Sequence, residues 1–249
     1  MNCEPISNTM MRTRWILGCL LGLVWGGVAL GQAPNEVSVT FTVFKDTTDP
    51  IEGVFFVGEG GRAAEVTFRR GQRSFSFRHR GGPVIHFFRK SVDASGNEVR
   101  VPVGAATLSP QWREALLFFF PNPQWPTTGP EFFVQAMNDS RSAIPTDHLV
   151  FFNATGATLL GVFGQQEIEL GVGATGPFDL GPFLDSSVPI GLVVKDGESF
   201  REVYVSRLTF SPGSRTILLL MPPRREGSYR IMVRGIYDFS SEPPPPAGG

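Results

Sequence analysis

Residues 101–117 read VPVGAATLSPQWREALL and residues 203–219 read VYVSRLTFSPGSRTILL, 102 positions downstream with no gap. Val101/Val203, Val103/Val205, Thr107/Thr209, Ser109/Ser211, Pro110/Pro212, Arg113/Arg215, Leu116/Leu218 and Leu117/Leu219 are identical, eight positions in seventeen. Unrelated segments of average composition would share about one. The chain therefore reads as a tandem pair of one module. Outward from this stretch, Gly53-Val54-Phe55 recurs as Gly161-Val162-Phe163, Pro83-Val84 as Pro189-Ile190, and Phe132–Asp139 as Ile231–Asp238. What the copies share, including Arg113/Arg215 and the Leu pairs, is expected to be framework. What only the first copy has is where binding is expected.

The module reads as all-β. Val37, Val39, Phe41 and Val43 alternate with Ser38, Thr40 and Thr42, the period-two pattern of a half-buried strand. Short apolar runs follow, separated by turn clusters such as Asp49-Pro50, Gly60-Gly61, Gly81-Gly82 and Ala94-Ser95-Gly96-Asn97. Each copy holds seven or eight short strands over roughly 90–105 residues, which predicts two tandem antiparallel β-sandwich modules of immunoglobulin-like size. The expected divisions are residues 36–140 for module 1, a short linker at 141–146 and residues 147–239 for module 2. The tail 240–249, with Pro243–Pro246, has nothing to bury and is expected to be disordered or extended. Leu116–Phe120 and Ile217–Met221 are apolar at every position. Central strands covered on both faces explain such runs; a partner surface, or the contact between modules, is the alternative.

Residues 1–31 read as a secretory signal peptide. Arg12 and Arg14 precede the apolar segment Trp15–Leu30, and Ala29-Leu30-Gly31 supplies small residues before Gln32. The apolar run is sixteen residues, short of the roughly 20 that span a bilayer. Met1–Thr9 is unusually polar for such a leader, so Met10 or Met11 is an alternative start. Cys3 and Cys19 both fall in this segment, and Ile16-Leu17-Gly18-Cys19 is a poor lipidation box. A chain starting at Gln32 would have no disulfide, no cysteine metal site and no cysteine nucleophile. It would carry 20 Lys and Arg against 22 Asp and Glu, so net charge points to no partner. The expected location is secreted or periplasmic, with a bacterial character, and no transmembrane segment in the mature chain.

No cofactor or metal site is expected. His79, His86 and His148 lack a ligand spacing, and Asp93–Glu98 reads as a hairpin turn rather than a calcium loop. Neither a nucleophile elbow nor a phosphate loop is present. The charge distribution is uneven, however. Eight cations stand against one Glu between Arg62 and Lys90, with Phe68, Phe75, Phe77, Phe87 and Phe88 interleaved. Arg69, Arg70, Arg73, Arg78 and Arg80 are therefore candidates for holding an anionic glycan or envelope polymer; the competing reading is a solvated sheet face with the rings turned inward. In an exported protein, nucleic acid is not the expected anion. Trp125, in the Pro121–Pro130 loop, is the second candidate, since an exposed ring is a stacking surface for a glycan. Folding back to close the core edge is its alternative. The corresponding loop in the second copy, Pro222–Ser228, has Arg224 and Arg225 instead.

These features point to an exported non-enzymatic binding or structural protein of a bacterial envelope or exterior. One alternative is an interaction subunit docking on another exported protein through an apolar sheet face. The other is a hydrolase with a site between the modules.

Overall fold

The computed structural model describes residues 36–47 and 49–239. The expected signal peptide with both cysteines, and the proline-rich tail, lie outside the described residues. Among the described residues no helix is long and apolar enough to cross a membrane.

Among the described residues, sixteen strands account for the fold. The first eight are β1 (Val37–Lys45), β2 (Phe55–Val57), β3 (Ala63–Glu65), β4 (Phe77–Gly81), β5 (Val84–Val92), β6 (Glu98–Thr107), β7 (Glu114–Pro121) and β8 (Phe132–Asn138). The second eight are β9 (His148–Asn153), β10 (Leu159–Phe163), β11 (Gln166–Leu170), β12 (Gly173–Asp179), β13 (Ser187–Asp196), β14 (Ser199–Thr209), β15 (Ser214–Met221) and β16 (Met232–Phe239). In the first set, sheet I runs β4-β1-β7-β8 and sheet II runs β3-β2-β5-β6. Sheet III, β12-β9-β15-β16, and sheet IV, β11-β10-β13-β14, repeat these orders eight strands later. Two sandwiches of one topology result. Their pairings are antiparallel apart from β1 with β7 and β9 with β15, which run parallel.

Alternation decides where each side chain goes. Val37, Val39, Phe41 and Val43 of β1 fill the core between sheets I and II, with Phe56, Phe87, Leu117 and Phe119. Leu149, Phe151, Phe163, Leu192 and Leu218 fill the matching core between sheets III and IV. The all-apolar runs belong to central strands covered on both faces. Ala115, Leu117 and Phe119 point into module 1, whereas Leu116 and Phe118 point the opposite way. There they join Phe44 and Met137 against Val150, Phe152, Ile217, Leu219 and Ile236 of the second copy. Phe118 and Phe152 meet with ring centroids 4.3 Å apart. The layers therefore stack II–I–III–IV, and the contact between modules is a third hydrophobic core. Ile144, within the expected linker, is buried in that core.

A charged chain crosses the same contact. Asp139, just after β8, is buried and pairs with Arg73. Its carbonyl accepts a 2.9 Å hydrogen bond from Arg215, which also pairs with Asp238. A buried ion must keep its partners or its desolvation is uncompensated, so these contacts are structural.

The 102-residue spacing identifies the duplication but not the equivalent residues. Leu116 faces the inter-module core while Leu218 faces the core of module 2; Leu117 and Leu219 are exchanged in the same sense. Shifting a strand by one residue turns every side chain to the other face. The correct partners follow from β8 and β16, where Met137 and Ile236 are 99 residues apart. Leu116 pairs with Met137 and Ile217 with Ile236, which makes Leu116 equivalent to Ile217 and Phe118 to Leu219. Arg113, exposed, is thus no counterpart of the buried Arg215, and the expected shared framework at this pair is corrected. Val103 and Val205 disagree too, at 3% and 62% exposure. In β14 the buried bulge residue is Val203, as Val103 is in β6.

Candidate functional site

The arginine-rich stretch divides into two groups. Arg73, Arg80, Arg89 and Lys90 pair with Asp139, Glu36, Glu131 and Glu98. Arg89 grips Glu131 in a bidentate fork, at 2.9 Å and 2.7 Å, and the carboxylate raises the guanidinium pKa further. Arg62, Arg69, Arg70 and Arg78 are exposed and have no carboxylate partner among the described residues. Arg69 lies over the Phe75 ring, 5.3 Å from its centroid. Phe75 is 70% exposed, so it does not point inward as the alternation suggested, whereas Phe87 is fully buried.

Placement follows from the strands. Arg78 and Arg80 alternate with Phe77 and buried His79 on β4, opposite Thr40 and Ser38 of β1. They therefore lie on the face of sheet I that turns towards module 2. Arg69 and Gln72 close a hairpin whose tip is Arg70-Gly71. Gly71 sits at φ +61°, a left-handed conformation that glycine adopts without Cβ strain.

Trp125 is 52% exposed at the tip of the β7–β8 loop. Asn122 organises that loop by donating to the carbonyls of Thr128 and Pro130, at 2.7 Å and 2.8 Å. Trp112, not Trp125, packs against the module 1 core. The histidines stand apart. His79 and His148 contact backbone carbonyls, His86 is exposed, and no group of metal-ligating side chains occurs among the described residues. Asp93 accepts from the backbone N–H groups of Ser95 and Asn97 at the β5–β6 tip. These bonds, that of Asn97 first, hold its carboxyl below the usual range.

Two clefts flank the inter-module core. The first, about 540 Å³, is lined by Val134, Gln135, Ala136, Phe152, Val172 and Ala174, among others. The second, about 490 Å³, is lined by Phe44, Asp46, Arg70, Arg224, Arg234 and Gly235. They are built from equivalent positions. Gln135 and Ala136 of β8 correspond to Arg234 and Gly235 of β16, and Phe152 corresponds to Phe44, facing Leu219 and Phe118 respectively. The charges are not equivalent. Arg234 donates to Asp46 at 2.5 Å across the module boundary. Arg70 and Arg224 are exposed and unpaired among the described residues. The second oxygen of Asp46, Oδ2, is buried without a hydrogen-bond partner.

Of the sequence candidates, only Arg70 reaches this cleft. Arg73 is built into the module contact, Arg69, Arg78 and Arg80 stay on the surface, and Trp125 occupies a separate loop. Asp46, Arg224 and Arg234 were not singled out as site residues. The two-arginine loop Pro222–Ser228 carried the available signal, but nothing in the chain links it to residue 70. No family model matches this chain, and no curated protein matches it either.

Proposed function

We propose that this is an exported, non-enzymatic binding protein, secreted or periplasmic in a bacterium, that holds an anionic glycan or envelope polymer through module 1. The observation that supports this most is that Arg62, Arg69, Arg70 and Arg78 remain exposed without carboxylate partners among the described residues, although half the cations of that stretch are paired. Unpaired exposed cations attract a polyanion over a Debye length of about 8 Å at physiological salt. The protein should therefore be retained on immobilised heparin and elute earlier as salt rises. Replacing Arg62, Arg69 and Arg78 together by Gln should lower the eluting salt concentration; an unchanged elution would remove this reading. Trp125, exposed on a braced loop, supports a stacking contact with a sugar ring.

A second reading, an interaction subunit of an exported assembly, loses the apolar runs of β7 and β15, which are covered within the chain. It retains the outer face of sheet IV, where Val162 and Val205 flank Gly191 and Phe200 is 59% exposed.

A further inference from the structure

We infer that the second inter-module cleft is a specific site for a phosphate or sulfate ester on a hydroxylated carrier, such as a sugar unit. The inference rests on the polyanion reading above and narrows it to one place and one chemistry. Three guanidinium groups border the cleft, from the β3–β4 hairpin (Arg70), the β15–β16 loop (Arg224) and β16 (Arg234). Only one is neutralised. Asp46 takes Arg234, which leaves an excess of two positive charges and many unshared N–H donors. Guanidinium forks match tetrahedral oxyanions through paired N–H···O bonds.

The remaining oxygen of Asp46 selects the rest of the ligand. The side chain is 11% exposed, and Oδ2 has no hydrogen-bond partner among the described residues. A buried acceptor without a donor is costly, and a ligand hydroxyl that reaches it after a small rotation of the Asp46 carboxylate towards the cleft would remove that cost. A bare anion offers the arginines a charge but gives Asp46 a repulsive neighbour. An ester on a sugar offers both the anion and the donor. Phe44 supplies an apolar wall for the carrier. The site exists only in the tandem chain, because Asp46 and Arg70 come from one module and Arg224 and Arg234 from the other.

The test uses the purified full-length chain with glucose 6-phosphate, glucose 6-sulfate, glucose and inorganic sulfate as probes, read by titration calorimetry or NMR shifts. Both esters should bind, with glucose at least about tenfold weaker because it lacks the charge-assisted hydrogen bonds. Arg70→Gln/Arg224→Gln should weaken ester binding about tenfold or more. Its thermal midpoint should stay near that of the parent, since neither side chain is paired among the described residues. Equal ester binding by parent and double variant overturns the site. Inorganic sulfate binding as tightly as glucose 6-sulfate overturns the role given to Asp46. The broader reading fails separately. Heparin retention that persists in Arg70→Gln/Arg224→Gln, with no ester binding by the parent, removes the cleft and keeps the polyanion reading. Ester binding without heparin retention does the reverse.

Discussion

The two clefts beside the inter-module core start from the same positions and end with opposite chemistry. On one side Gln135, Ala136 and Phe152 border a largely apolar groove; on the other Arg234, Gly235 and Phe44 border a basic one. Because the copies meet through the same faces, any cleft formed by one pair of elements is formed again by the equivalent pair. The backbone therefore supplies two sites, and side chains decide what each can hold. Arg234 can stand in its cleft because Asp46 is there to meet it. Its counterpart Gln135 has Ala154 at the position corresponding to Asp46, two residues beyond Phe152.

The core that holds both clefts open is the largest lever on this comparison. Phe118→Ala removes a fully buried ring from the centre of the contact and should cost about 3–5 kcal/mol in chemical denaturation. A loss below about 1 kcal/mol would show that the modules do not depend on this contact. Asp139→Ala strips Arg73 of its carboxylate and should cost about 3–5 kcal/mol, as removing one partner of a buried pair does. Restoration by Asp139→Ala/Arg73→Met would identify uncompensated charge as the cause.

A transplant tests whether side chains alone separate the clefts. Gln135→Arg should destabilise by placing a cation in the apolar groove, and adding Ala154→Asp should recover stability, with a coupling of about 0.5–3 kcal/mol. Zero coupling in the double-mutant cycle would show that the two clefts differ in backbone as well. The smallest effect concerns the hairpin tips. Asp93 is held below its usual pKa by the N–H groups of Asn97 and Ser95, and Asp196 by Arg201 first and then Tyr229. A depressed folded pKa contributes stability that is complete above the unfolded pKa and lost as pH falls through the folded value. Asp93→Asn and Asp196→Asn should therefore lower stability slightly at neutral pH, with the difference from the parent vanishing in acid. Carboxyl NMR titrations reporting ordinary values for either residue would contradict this.

Much of the architecture could be read from residue patterns. The Val37–Val43 alternation gave the orientation of β1, and the unbroken apolar runs of β7 and β15 signalled central strands covered on both sides. Their register could not be read, because Leu116 and Leu117 match Leu218 and Leu219 equally well when shifted by one. Only the hydrogen-bonded neighbours, Met137 and Ile236, resolve that slip. The site was harder still. Arg70 carried a compositional signal, but Asp46, Arg224 and Arg234 become neighbours only after two sandwiches form and pack. Arg73 misled for the same reason: its carboxylate partner, Asp139, lies 66 residues away.

The third core has a consequence for how such a chain could have arisen. Phe44, Leu116, Phe118 and Met137 meet their own equivalents, Phe152, Ile217, Leu219 and Ile236. That is the arrangement of a homodimer interface, in which one patch is complementary to itself. A single ancestral sandwich carrying this patch would have paired with another copy of itself. Joining two such subunits in one polypeptide would make the pairing independent of concentration and free each half to diverge. A symmetric dimer must change both of its grooves together; the fused form could charge one and leave the other neutral.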